Sequence, residues 1–276
     1  MTVASLSEVL QKAKQNKYAV AGLVVLGWED ARCYAETAEE LGLPVILQAG
    51  PGCRANTPLP ILGKMFRYLA EKSKTPVVCH LDHGYTKEEC VEAINSGFSS
   101  IMFDGSKFEL KENIEKTCEI AEIAHQHHIS IEGEIGFVGY AEGAESKSTD
   151  PEQAKAFAEQ SKCDAMAISV GNVHLQTSKS ASIDMGVIKK IQEITDIPLV
   201  LHGSSGIEHS LRRIIASTTN VCKFNIGTEL RKTFGDTLRK EINNHPTMYD
   251  RIQLINLTKD NLKAATRLVL ENISKF

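Results

Sequence analysis

The sequence lacks the marks of several protein classes. It has no surplus of basic charge: 31 lysines and arginines stand against 35 aspartates and glutamates in 276 residues, a formal charge of −4. Without excess cations to displace counterions, a nucleic-acid partner is not expected. No uninterrupted apolar run approaches the ~18–20 residues that cross a bilayer, so no membrane partner is expected either. The opening MTVASLSEVLQKAKQ has no basic stretch followed by an apolar one and does not read as a secretory leader. The seven cysteines, at 33, 53, 79, 90, 118, 163 and 222, include no Cys-x-x-Cys pair. Their odd number and scatter fit reduced core thiols and a cytoplasmic location. No Pro/Gly/Ser-rich linker or composition shift marks a boundary, so residues 1–276 read as a single domain. With 42% hydrophobic and 24% charged residues, the composition is that of an ordinary globular protein.

What is present is an alternation of two periods. Ser5, with Glu8 three residues on, opens a helical run through Lys14 in capping-box fashion. Short apolar runs follow at Tyr18–Val25, Val45–Gln48, Val77–Leu81, Ser100–Phe103, Ile129–Ile135, Ala165–Val170, Leu199–Leu201 and Val221–Ile226. Between and after them lie amphipathic stretches at Asp30–Leu41, Leu59–Lys74, Lys87–Asn95, Leu110–His127, Pro151–Gln160, Met185–Ile194, Ser210–Ala216 and Thr228–Asn244. Apolar strands alternating with helices predict a parallel sheet covered by helices. Eight such units in about 250 residues predict an α/β fold of the (β/α)8 TIM-barrel kind. An open, doubly wound sheet is the other architecture this pattern allows. Two long irregular stretches, Gly136–Thr149 and His174–Ser182, read as lids or binding loops.

In a barrel, chemistry sits where strands end. The third strand is followed by His80-Leu81-Asp82-His83-Gly84, the sixth by Asn172-Val173-His174, and the seventh by His202-Gly203-Ser204-Ser205-Gly206. The fourth and fifth add Asp104 and Glu134. One histidine at a strand end is ordinarily a satisfied polar residue. Three aimed into one mouth are also what a catalytic zinc site needs, with a coordination position left for substrate. Strand alternation puts His80 and Asp82 on one face and sends His83 away or into the loop. His125, His127, His128, His209 and His245 are assigned to surfaces. The turns HGSSG and NIGT lie between a strand and a helix, where backbone N–H groups suit a phosphate, although plain turn chemistry explains them too.

The ordered set HLDHG, FDGS, EGEIG, GNVH, LHGSSG and KFNIGTEL resembles the class II, metal-dependent ketose-bisphosphate aldolases, which include the fructose- and tagatose-bisphosphate enzymes. The resemblance runs over almost the whole chain. It implies that His83, His174 and His202 are ligands of a catalytic Zn2+, with Glu134 as an alternate ligand and Asp104 near the metal pocket as a possible second site. It makes Asp82 the acid/base for the C4 hydroxyl, and Glu142 the base that moves the donor-carbon proton. Gly203, Ser205, Asn225 and Thr228 match positions that cradle the phosphate of dihydroxyacetone phosphate, and Lys179 matches a basic residue in tagatose-bisphosphate relatives. A phosphorylated sugar substrate, a role in carbohydrate metabolism and a homodimer or homotetramer are likewise implied.

The departures from the family lie on the donor side. Leu175 stands where relatives carry a glycine that contacts the phosphate and an associated monovalent cation, and its β-carbon conflicts with the backbone angles expected there. Val24 replaces a polar asparagine, Gly50 a serine, and Tyr140 the second glycine of a Gly-Gly pair. The family's arginine-containing segment is poorly matched around Pro246–Arg251. An altered ketose substrate is therefore expected. Two other functions compete. A non-catalytic barrel subunit supporting a partner aldolase would have no need of Asp82 and three ligand histidines. A zinc hydrolase would be expected to carry His-x-His on the first strand, which has no histidine.

Overall fold

A computed structural model describes residues 2–141, 143 and 145–274. In chain order the elements are α1 (Leu6–Gln15), β1 (Val20–Val24), α2 (Trp28–Leu41), β2 (Val45–Ala49), α3 (Pro51–Asn56), α4 (Leu59–Lys72), β3 (Val77–Gly84), α5 (Lys87–Asn95), β4 (Ser100–Phe103) and α6 (Leu110–Gln126). They continue with β5 (Ser130–Ile135), α7 (Pro151–Gln160), β6 (Ala165–Ile168), α8 (Met185–Ile194), β7 (Leu199–Leu201), α9 (His209–Thr218), β8 (Val221–Ile226), α10 (Thr228–Asn244), α11 (Arg251–Asn256) and α12 (Lys259–Ser274). Every strand pairs in parallel with its neighbours in sequence, and β8 closes on β1, so the sheet is a closed (β/α)8 barrel rather than an open one. Local chemistry sets several helix starts. The side chains of Ser5, Thr86, Asp150 and Asp184 each accept a backbone N–H of the first turn they precede.

The strands are buried on both faces, which is why β6 and β7 read as continuous apolar runs. Outward residues such as Leu23, Leu47, Ile101 and Phe224 pack against the helical ring. Inward residues Val20, Ile46, Val78, Ala167 and Val200 join Leu6, Val9 and Leu10 of α1 in a second cluster. That helix thus plugs the N-terminal end of the barrel. Along β3 and β5 the inward positions turn from apolar or small to polar, Val78 to His80 to Asp82 and Ser130 to Glu132 to Glu134, so charge collects at the C-terminal mouth.

Two bulges interrupt the strands, one at this mouth and one near the start of β8. Between Leu81 and Gly84, β3 holds one residue more than β4, and His83 adopts φ +56°. The same excess occurs in β8 opposite Leu199 and Val200 of β7. A bulge breaks the two-residue alternation, so consecutive side chains face the same side. His83 consequently lies within the strand and lines the mouth together with Asp82, against the alternation expected from the sequence. The added helices α3, α11 and α12 extend the eight-unit plan. The last of them packs on α2 and β1, where Ala19 N–H donates to Ile273 O at 2.9 Å.

Candidate active site

Asp82, His83, His174 and His202 come from the ends of β3, the β6–α8 loop and the end of β7, and they meet at the mouth. One ring nitrogen of each histidine lies within 4.8 Å of those of the other two, and His83, Asp104 and Glu134 form a second such group. His174 is fixed by its backbone: its N–H donates to Gly139 O at 2.8 Å and its carbonyl accepts from Ala141 N–H at 3.0 Å. Tyr140 stacks on its ring with centroids 5.1 Å apart.

Each of the other two rings has one nitrogen engaged by a carboxylate. His83 Nδ1 is 2.8 Å from Asp104 Oδ2, whose other oxygen accepts from the Ser106 hydroxyl at 2.6 Å. His202 Nε2 is 2.9 Å from Glu132 Oε1. An ionised carboxylate only accepts, so these contacts put protons on His83 Nδ1 and His202 Nε2; His202 Nδ1 keeps a lone pair, and His83 Nε2 offers one once its own proton has left. Glu132 is held in turn by the Lys223 ammonium at 2.6 Å. Lys223 also donates to His80 Nε2 at 3.2 Å, and His80 Nδ1 reaches Ser100 Oγ at 2.8 Å. His80 therefore belongs to the buried network beneath the mouth.

Arg54 of α3 supports the β3 bulge from outside. Its guanidinium donates to Ala49 O at 2.9 Å, Asp82 O at 2.6 Å and His83 O at 2.8 Å, while Nε pairs with Glu89 at 2.8 Å. A planar fork spanning three carbonyls holds the left-handed turn at His83.

The charges sort by environment. Burial, reinforced by the neighbouring His83 charge, lowers His174 to about 4 and holds His202 well below its ordinary value. Burial also lowers His83, but Asp82, Asp104 and Glu134 outweigh it and raise the ring to about 10. Glu134 is raised by burial and by Asp104. Buried Glu134 Oε2 and His202 Nδ1 have no hydrogen-bond partner and lie 3.6 Å apart. Converging imidazole lone pairs, carboxylates outside them and two orphaned acceptors fit a divalent cation of the Zn2+ type, which would displace the protons on His83 and Glu134.

A cavity of about 350 Å3 opens beside this cluster, lined in part by Asp82, Gly203, Ser205, Asn225 and Thr228. Asp82 is buried, and Asn225 Nδ2 donates to its Oδ1 at 3.2 Å. Gly203 holds φ +61°, and a Cβ there would strike the Val173 backbone. Ser205 Oγ accepts from the N–H groups of Gly227 and Glu229, both at 3.3 Å, tying the β7 turn to the start of α10. Lys179 does not line the cavity. Its ammonium pairs with Glu229 at 2.7 Å, in a cluster with Arg212. Glu142 lies outside the described residues.

The four positions that depart from the family pattern fall together. Val24, Gly50, Tyr140 and Leu175 all line the cavity. Leu175 takes φ +58° and is half exposed, so the left-handed backbone expected to demand glycine is kept in spite of the β-carbon. At Gly50 a Cβ would sit 3.3 Å from Asp82 Oδ2, so its absence leaves room around that carboxylate.

Gln48, Glu132, Lys223 and Arg54 belong to the surroundings of the site without being among the residues expected from the sequence. Gln48 is buried inside the barrel, with neither amide atom hydrogen-bonded. A polar residue closing the apolar run VILQ, and a lysine inside VCKFNI, were the available signals. Among the described residues no helix is long and apolar enough to cross a membrane.

The family model for fructose-bisphosphate aldolase class-II matches residues 4–276. Among solved structures, the chain is similar to the YdjI aldolase from Escherichia coli K12, with TM-score 0.88 and 29% identity over 99% of this chain and 97% of that one. It also matches the fructose-bisphosphate aldolase from Campylobacter jejuni, with TM-score 0.84 and 22% identity over 98% and 95% of the two chains. The latter likeness concerns the fold alone.

Proposed function

Because this chain belongs to the class II fructose-bisphosphate aldolase family, we propose that it is a zinc-dependent lyase. In this reading it reversibly cleaves a ketose phosphate or bisphosphate into dihydroxyacetone phosphate, or a related donor, and an aldehyde. The observation that carries the reading is the approach of three imidazole nitrogens within 4.8 Å of one another at the mouth that holds the buried carboxylate of Asp82.

His83, His174 and His202 would hold the cation, with Glu134 as an alternate ligand and Asp104 orienting His83. A bound cation supplies Lewis-acid stabilisation of the negative charge left on the donor fragment when C3–C4 breaks. Asp82 takes the proton of the C4 hydroxyl as that bond breaks, leaving an aldehyde carbonyl, and returns it in the reverse direction. Asn225 keeps Asp82 aimed by donating to the oxygen not used as base. Gly203, Ser205 and Thr228 offer backbone and hydroxyl groups to the donor phosphate beside the N-terminus of α10. Glu142 is assigned the donor-carbon proton on the family resemblance. Fructose 1,6-bisphosphate is one substrate among several, since Val24, Gly50, Tyr140 and Leu175 reshape the donor wall. A single domain over residues 1–276, a cytoplasmic location and a homodimer or homotetramer complete the proposal.

Two variants test the assignment of roles. Asp82→Ala is expected to keep stoichiometric Zn2+ and lose cleavage, whereas His202→Ala is expected to lose both. Near-normal turnover by Asp82→Ala would remove Asp82 from the chemistry.

A further inference from the structure

The three histidines of the mouth are not held alike. Asp104 engages the ring of His83 and Glu132 that of His202, and each contact fixes an imidazole that could otherwise turn about its side-chain torsions. Among the described residues, neither ring nitrogen of His174 has a hydrogen-bond partner. Its ring also neighbours those of His83 and His202, 5.2 and 5.7 Å away and steeply tilted. Those are the groups it must converge with, not a support from outside the cluster.

That support comes from Tyr140. The chain around Tyr140 runs alongside His174 as a parallel bridge, with His174 N–H donating to Gly139 O and Ala141 N–H donating to His174 O. Two bonds astride one residue hold its backbone close to the histidine. The phenol ring lies over the imidazole with 5.1 Å between centroids and 29° between planes, within the range of favourable offset stacking. Its hydroxyl meets that of Tyr85, whose own ring lies over His83 at 6.4 Å and 26°. The family pattern has a glycine at this position, and this chain has the ring instead.

We propose that Tyr140 is a positioning residue of the metal site, orienting His174 by stacking where a carboxylate orients each of the other two histidines. The proposal rests on the reading of His174 as a cation ligand. A stacked ring restricts rotation of the imidazole without occupying either nitrogen, so one is left to the cation and the other to solvent.

The test is Zn2+ affinity in a chelator competition, with the absorption spectrum of the Co2+-loaded protein as a second readout. Tyr140→Ala is expected to weaken Zn2+ binding about tenfold, the upper end of what one aromatic pair contributes. Tyr140→Phe keeps the ring and is expected to bind within about twofold of the parent. The Co2+ bands should shift in Tyr140→Ala and not in Tyr140→Phe, because only a reoriented ligand alters the field at the metal. In a His174→Ala background, Tyr140→Ala should cost no further affinity, since the ring has nothing left to orient. Unchanged affinity in Tyr140→Ala, an equal loss in Tyr140→Phe, or an undiminished loss in the His174→Ala background would each overturn the positioning role. A parent that binds no Zn2+ would overturn the reading of the histidine cluster together with it. A parent that binds Zn2+ and cleaves a ketose phosphate, while Tyr140→Ala keeps full affinity, would overturn the positioning role alone.

Discussion

Lys223 Nζ lies 2.6 Å from Glu132 Oε2 beneath the mouth of the barrel, where neither side chain meets solvent. The other oxygen of that carboxylate engages His202 Nε2, so the ion pair fixes both the tautomer and the direction of the His202 ring. Lys223→Met would strand a buried carboxylate. The expected result is a loss of about 3–5 kcal/mol of folding stability, read by urea denaturation. The milder Glu132→Gln is expected to weaken Zn2+ binding by about 10–100-fold in a chelator competition. Unchanged zinc affinity in Glu132→Gln would mean the contact does not orient the ring.

Arg54 acts at a distance from any substrate, through the carbonyls of Ala49, Asp82 and His83. Arg54→Ala is expected to cost about 1.5–3 kcal/mol of stability and to lower zinc affinity, because the His83 turn loses its clamp. Arg54→Lys should recover little of either, since a point charge cannot bridge several carbonyls. Full rescue by lysine would show that only the charge matters.

Leu175 keeps a left-handed backbone on the rim of the cavity. Leu175→Gly is expected to raise the urea midpoint by an amount equivalent to about 1 kcal/mol, by removing the clash between Cβ and carbonyl. Destabilisation instead would mean that the half-exposed leucine side chain contributes packing that outweighs its strain.

Glu229 joins Lys179, Arg212 and His209 behind the turns that follow β7 and β8. Burial pushes its carboxyl up, but Arg212 and Lys179 outweigh burial and leave it below the ordinary carboxylate value. A folded-state value below the unfolded one of about 4.3 gives stability that is fully present above that pH. It is lost as the pH falls through the folded-state value. Glu229→Gln should therefore flatten the acid limb of a stability-versus-pH curve while leaving its shape near neutrality unchanged. An identical acid limb in both proteins would contradict the pairing.

The barrel was legible because a strand buried on both faces tends to be apolar throughout, and Ala165–Ile168 or Leu199–Leu201 stand out against the amphipathic helices between them. The orientation of His83 was not legible from strand periodicity. Period-two alternation sends it away from Asp82, and only a bulge, set by pairing with β4 and by Arg54 in a separate helix, turns both residues inward. Lys223 escaped for the same reason, since a lysine in a short apolar run has no sequence mark of the carboxylate 91 positions away that neutralises it. At Leu175 the conflict between the β-carbon and a left-handed backbone was legible, but residue type gives only a preference, and the surrounding loop imposes that backbone all the same. Helices α3, α11 and α12 lie outside the strand-helix repeat and so outside the pattern that revealed the others.

Zn2+-dependent aldol cleavage is tested by release of dihydroxyacetone phosphate from a panel of ketose mono- and bisphosphates, with Zn2+ and with chelator. Cleavage of at least one sugar, stopping on chelation and returning with added Zn2+, is the expected result. Tight Zn2+ binding with no cleavage of any phosphorylated ketose would contradict it.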